Sequence, residues 1–292
     1  MKSSHFPHLD EIRASIRELH RVLGRERVSK YPTWHPPVLA AGEAPEYFVS
    51  RCVKSIMDHY ELIHSTSVVV TFEKMEQPAY VVLEDERVLF AFLNRCYEQD
   101  TTDLPAVLAH EITHIFLHRL GVGFPETAAN EILTDAACTY LGLGWTSLNA
   151  FRVQSRKVDA QTTVVATHRL GYLTPEEFGY VLAKRYHLTG DNPRAMLKRR
   201  EVRQAYSWGA RQARDEQVAL NHGRWQRVWY VVRRSVVRAR RDLPLRWHAY
   251  CFTNDSRVVL RCRTCTQLLR FPTGKRLIGR CPNCRSDHEY AT

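Results

Sequence analysis

The chain has 292 residues, 44% of them hydrophobic and 25% charged, a composition that excludes wholesale disorder and fibrous or low-complexity classes. No run approaches the roughly 20 apolar residues of a membrane span, and MKSSHFPHLDEIRASIRELH at the N-terminus contains no apolar segment of signal-peptide length, so a cytoplasmic protein without a membrane partner is expected. The net charge of +11 is unevenly placed: residues 1–193 hold 19 Lys and Arg against 24 Asp and Glu, whereas residues 194–292 hold 23 against 7. A mildly acidic half precedes a strongly basic one, and the second half calls for a polyanionic partner.

In chain order, residues 8–24 have the spacing of a short amphipathic helix, and the Pro-rich YPTWHPPVLAAGEAPE (31–46) reads as a connector. A helix to about His64 follows, with Val49, Cys52, Val53, Ile56, Met57, Tyr60 and Ile63 on one face. VVVTF (68–72), AYVVLE (79–84) and VLFAFLN (88–94) read as three strands separated by charged or Pro-containing turns. LPAVLAHEITHIFLHRLG (104–121) and TAANEILTDAACTYLG (127–142) then form two helices joined by a short turn. LTPEEFGYVLAKRYH (173–187) starts a further helix with Thr174 as N-cap, Pro175 at the first position and Glu176 and Glu177 at the positive end of the dipole.

His110 and His114 are four apart, so on a helix their imidazoles share one face and can chelate one zinc ion, with Glu111 beside a metal-bound water as general base. His118 lies eight residues from His110, a rise of about 12 Å, whereas two nitrogens on one zinc are at most about 4.2 Å apart. It is therefore read as a helix-face histidine or one that supports a ligand from outside the metal's own contacts. The third ligand is sought on the returning helix: about six residues of rise from His114 to the turn, about 9 Å, are recovered six residues after Pro125, at Glu131. Glu126, near the top of the turn, is the second choice. Asp135, one turn beyond Glu131, is placed to accept the other ring N–H of a ligand histidine.

HEITHIFLH followed by NEILTDAACTYLGLG resembles the gluzincin-type zinc peptidases, and within them the ImmA/IrrE-like group, over roughly residues 45–145. Thr134-Asp135 departs from the Ala-Asn that the group often carries there. The resemblance implies an endopeptidase that cuts a partner protein such as a helix-turn-helix repressor in response to DNA damage; the related CapP proteins are stimulated by single-stranded DNA. His168 and Tyr172, in THRLGY, are candidate oxyanion donors, against the plainer reading of a loop histidine and a half-buried tyrosine. VLFAFLN is a candidate edge strand for an extended substrate. Cys96, between the last strand and the HExxH helix, is a candidate inhibitory zinc ligand, against the reading of a small buried hydrophobe.

Residues 194–241 hold 13 Arg and 1 Lys against 3 acidic residues, interleaved with aromatics. In RWQRVWYVVRRSVVRARR (224–241), Arg224, Arg227, Arg233, Arg234, Arg238, Arg240 and Arg241 with Trp229 form a candidate single-stranded DNA surface, against the reading of a solvated helix face. The tail carries Cys262, Cys265, Cys281 and Cys284 as two CxxC pairs, resembles a zinc ribbon, and suits one structural zinc, with His288 a weak substitute ligand. The expected fold class is α+β: a small antiparallel sheet with an HExxH helix and a ligand helix, a basic helical region and a β-rich ribbon. The expected division is an N-terminal helix and linker (1–44), a metallopeptidase domain (45–193), a basic helical region (194–245) and the ribbon (246–292). Two zinc ions, one catalytic and one structural, are implied. An alternative is a SprT-like protease acting on DNA–protein crosslinks, whose third ligand is generally a histidine; another is a DNA-binding regulator with a vestigial peptidase site.

Overall fold

The computed structural model describes residues 5–62, 67–84, 88–157, 163–216, 228–229, 231–232, 235–236, 250–253, 257–273 and 276–291. α1 (Leu9–Lys30) buries Ile12, Ile16 and Leu19 at helical spacing. Gly24, at φ +73°, breaks it, so the helix expected over 8–24 is followed by a short second piece ending at Lys30. α2 (Pro45–His59) starts with Pro in its first turn and buries the expected face, from Phe48 to Met57. It stops short of His64, because Glu61 takes a positive φ of 54°.

Three strands follow: β1 (Ser67–Glu73), β2 (Ala79–Glu84) and β3 (Val88–Asn94), in the order β1-β3-β2. β2 pairs antiparallel with β3, but β1 pairs with β3 in parallel, so the sheet is mixed rather than wholly antiparallel. VLFAFLN is the central strand, not an edge, and its residues alternate between half-buried and buried along its length. The most apolar strand thus gains a neighbour on each side, and the charged ends of β1 and β2 fall at the rims. β2 is the rim beside the HExxH helix.

That helix, α3 (Leu104–Arg119), is buried on most sides and packs against α2, α4 (Thr127–Tyr140), α5 (Trp145–Ala150) and β2. A hairpin of β4 (Arg152–Lys157) and β5 (Thr163–His168) leads to α6 (Pro175–Thr189). α6 begins with the expected N-cap as a full reciprocal box: Thr174 Oγ1 accepts from Glu177 N–H at 3.2 Å and Glu177 Oε2 accepts from Thr174 N–H at 2.9 Å. α7 (Arg200–Asp215) crosses α6 at two glycines; a Cβ on Gly209 would lie 2.1 Å from Tyr180 N.

Just past α7, buried Glu216 accepts from Arg13 of α1 and, at 2.7 Å, from Tyr180 of α6, with Lys184 Nζ 2.9 Å away. One hydrophobic core therefore runs from Ile12 to Ala213, and the boundaries expected at 44/45 and 193/194 do not divide it. A second core surrounds the four paired cysteines, between the antiparallel sheet β6 (Tyr250–Phe252), β7 (Arg257–Arg261), β8 (Leu268–Pro272) and the hairpin β9 (Arg276–Arg280), β10 (Asp287–Ala291). Among the described residues no helix is long and apolar enough to cross a membrane.

Glu216→Ala leaves Arg13 and Lys184 without their buried counter-ion and is expected to cost about 3–5 kcal/mol in urea unfolding. Burial works to raise the Glu216 pKa, but Lys184 and Arg13 hold it down to about 2, from 4.5. Its contribution is complete above about pH 4.5 and is lost as the pH falls toward 2, so the gap between wild type and variant should narrow over that interval. A constant gap across it would contradict this account.

Candidate metal centres

α3 and α4 run side by side and place three donor atoms together: His110 Nε2 lies 3.1 Å from His114 Nε2 and 3.1 Å from Glu131 Oε2, and His114 Nε2 lies 3.4 Å from Glu131 Oε2. Donors at about 2.05 Å from a tetrahedral zinc ion stand about 3.3 Å apart, so the triangle has the size such an ion requires. The hydrogen bonds behind the rings decide their tautomers. His110 Nδ1–H donates to Asp135 Oδ1 at 2.8 Å, so in the neutral ring Nε2 carries the lone pair. Thr134 spends its own proton on the Asn130 carbonyl at 2.9 Å, so its Oγ1 accepts from His114 Nδ1–H at 3.1 Å. With both rings neutral, two ring lone pairs and a carboxylate oxygen converge, and the trio could hold a metal ion.

The electrostatics agree. Burial would lower the His110 pKa, but the charge and hydrogen bond of Asp135 and the hydrogen bond of Glu131 raise it to about 10. Glu131 is held at about 2 by hydrogen bonds from His110 and His114. The site therefore keeps positive charge at this point, as a proton on the ring or as a cation that displaces it. Asp135 is 2% exposed and does more than orient His110. Its Oδ2 accepts the backbone N–H of Tyr172 at 2.6 Å and of Leu173 at 3.2 Å, which pins the loop between β5 and α6 over the ligand helix. The approach requires Gly171: its φ is +78°, and a Cβ there would lie 2.5 Å from Asp135 Oδ2.

A cleft of about 260 Å³ opens over the trio, walled by the start of β2 from Gln77 to Tyr80, by α3, and by Leu170 to Tyr172. Glu111 lines it, and burial raises its pKa, with His110 and His114 opposing. Tyr172, half exposed, also lines it. His118 is exposed one turn beyond, and Glu126, exposed at the N-cap of α4, lies outside the donor group, so Glu131 takes the place expected for it. His168 is not in the cleft: its Nε2 is 2.8 Å from Asp103 Oδ2, and Arg152 binds the same carboxylate with both amino groups, which fastens the hairpin to the start of α3. Cys96 is exposed in the 3-10 turn Arg95–Glu98 and belongs neither to the cleft lining nor to the donor group, so it is not a zinc ligand in this arrangement. Thr134 and Gly171 were missed in the sequence; Thr134 had a signal, three residues after Glu131 on the same helical face.

The second group is closed. Cys262, Cys265, Cys281 and Cys284 are buried and their sulfurs all lie within 4.8 Å of one another, with Cys262–Cys284 and Cys265–Cys281 both at 3.6 Å. Sulfurs at about 2.3 Å from a tetrahedral ion stand about 3.8 Å apart, so this group too could hold a metal. Both knuckles share one backbone design: Thr266 N–H donates to Cys262 O and Arg285 N–H to Cys281 O, and Thr266 and Arg285 each take a positive φ, 62° and 57°. His288 Nε2 is 3.6 Å from Cys262 Sγ, beside the set rather than in it.

Of the candidate nucleic-acid residues, Arg224, Arg227, Arg233, Arg234, Arg238, Arg240 and Arg241 lie outside the described residues; Trp229 is 58% exposed. Part of the basic run is structural. Arg199 donates to the carbonyls of Asn149 and Phe151, and Arg203 to those of Leu197 and Lys198.

Comparison with protein-family models, with characterised proteins and with solved structures finds no match to any of them.

Asp135→Asn puts an amide where three N–H donors need acceptors. Metal affinity of the His110 site should fall about 10–100-fold in chelator competition, while the cysteine site keeps its ion. An unchanged affinity would contradict the role given to Asp135. Cys262→Ser should remove the ribbon ion alone, leaving one metal per chain by elemental analysis.

Proposed function

We propose that the chain is a zinc-dependent endopeptidase, regulatory in role, that cuts a partner protein such as a transcriptional repressor when single-stranded or damaged DNA engages its basic C-terminal half. The observation that carries this reading is the placement of Glu111 in one open cleft with the three converging donors and the rim strand β2. His110, His114 and Glu131 would hold the zinc, which when bound supplies Lewis acidity at a peptide carbonyl and lowers the pKa of water. Glu111 has the environment of a general base: a carboxyl whose pKa burial raises takes a proton more readily than an exposed one and can return it to the leaving amine. Among the described residues β2 has a strand neighbour on one side only, so an extended substrate has a backbone rim to pair with beside the cleft. Tyr172 at the cleft mouth is the remaining oxyanion-donor candidate.

A glutamate rather than a histidine in the third position favours this reading over a SprT-like one. The intact donors and base argue against a vestigial site. The nucleic-acid part is supported by 23 basic against 7 acidic residues after residue 193.

The test incubates the purified protein with candidate repressors from neighbouring genes, with and without single-stranded DNA. Glu111→Gln should retain both metals and lose cleavage by at least about 100-fold. Equal cleavage by wild type and variant would overturn the chemistry; wild-type cleavage that ignores DNA would overturn the regulation.

A further inference from the structure

The ribbon sits directly on the helical body. Thr266 Oγ1 donates to Arg13 O at 3.1 Å, Asn283 Nδ2 to Arg17 O at 3.0 Å, and Tyr140 OH to Thr264 O at 3.4 Å. Along this seam runs a half-open groove of about 710 Å³, lined among others by His20, Arg21, Arg25 and Arg285. A cavity of about 220 Å³ shares Arg25 and Leu188 with it and adds Lys184, His187, Arg263 and His288. The one carboxylate among the lining residues is Glu26. Arg21 is paired with Glu18 and Lys184 with Glu216, but Arg25, Arg263 and Arg285 enter no ion pair among the described residues.

These three guanidinium groups come from three elements: the piece of α1 beyond the Gly24 break, the first knuckle and the second knuckle. Arg285 occupies a left-handed backbone position that glycine fills at lower cost. The equivalent Thr266 is buried and holds the ribbon to α1, whereas the Arg285 side chain is exposed in the groove.

We propose that this seam binds the sugar–phosphate backbone of a single nucleic-acid strand. Phosphodiester oxygens accept and never donate, which suits guanidinium forks. Among the described residues neither cavity is lined by Phe, Tyr or Trp on which bases could stack, which favours contacts to the backbone over contacts to base faces. Two adjoining cavities joined through Arg25 suit a linear array of charges better than one compact anion. The inference rests on the nucleic-acid part of the proposed function and is independent of the peptidase chemistry.

The experiment measures fluorescence anisotropy of a labelled oligothymidylate of about 20 nucleotides against salt concentration, with the full chain holding both metals. Arg25→Gln with Arg263→Gln should weaken binding about tenfold or more and reduce the slope of log K against log salt by about 0.7 per arginine. Arg25→Gln alone, on an exposed helical position, should give about half of the slope change, and Arg95→Gln on the exposed 3-10 turn should change nothing. Metal content and melting temperature confirm that the variants are folded. A double variant that binds within about twofold of wild type overturns the seam while leaving the basic stretch 224–241 as the binding surface. Inorganic phosphate or a mononucleotide that occupies the seam as tightly as the strand overturns the strand assignment. A wild-type chain that binds no oligonucleotide overturns the seam and the nucleic-acid reading together.

Discussion

Asp135 is the carboxylate on which the site depends. It is buried on α4, and each of its oxygens has a separate duty: Oδ1 takes the Nδ1 proton of His110 on α3, and Oδ2 takes two backbone N–H groups from the loop that leads into α6. A buried carboxylate is costly unless its lone pairs are used. Here their use brings three segments distant in sequence to one point. The ring that results holds Nε2 3.1 Å from both Glu131 Oε2 and His114 Nε2, and the loop that results forms one wall of the cleft. Gly171 is the steric condition for this arrangement, since any side chain there would meet the carboxylate.

α4 links the two candidate metal centres. Its first half carries Glu131, Thr134 and Asp135; its last residue, Tyr140, reaches the Thr264 carbonyl in the first knuckle of the ribbon and His20 in the seam. The core under it is shared with α1, α6 and α7, and the Glu216 network closes that core at the far end. In the proposed reading, a strand seated against the ribbon and α1 would touch the same helix that carries Glu131, so a signal to the cleft would pass through packed elements.

The donors were legible because their placement follows from helical pitch alone. The four-residue spacing of His110 and His114 and the return distance to Glu131 are local geometry, and rise per residue also excluded His118. The ribbon cysteines were legible for the same reason, as two tight turns of fixed span. What the sequence hid was tertiary. His168 ends a hairpin that folds back on Asp103, which no local pattern announces. VLFAFLN, expected at an edge, takes the centre of the sheet, because strand order is set by pairing partners distant in sequence. The charge step near residue 193 meets no break in packing, since Val202, Ala205, Tyr206, Gly209 and Ala213 are buried on the inner face of α7 against the main core. Surface charge and core membership are different faces of one helix, so composition placed a boundary where packing has none.

The central claim is that His110, His114 and Glu131 form a metal centre separate from the ribbon. Zinc K-edge absorption spectroscopy of the Cys262→Ser chain, which leaves only that centre loaded, tests it most directly. The account predicts one zinc per chain in a shell of nitrogen and oxygen at about 2.0–2.1 Å with no sulfur. A chain that holds no zinc, or a shell containing sulfur at about 2.3 Å, would contradict it.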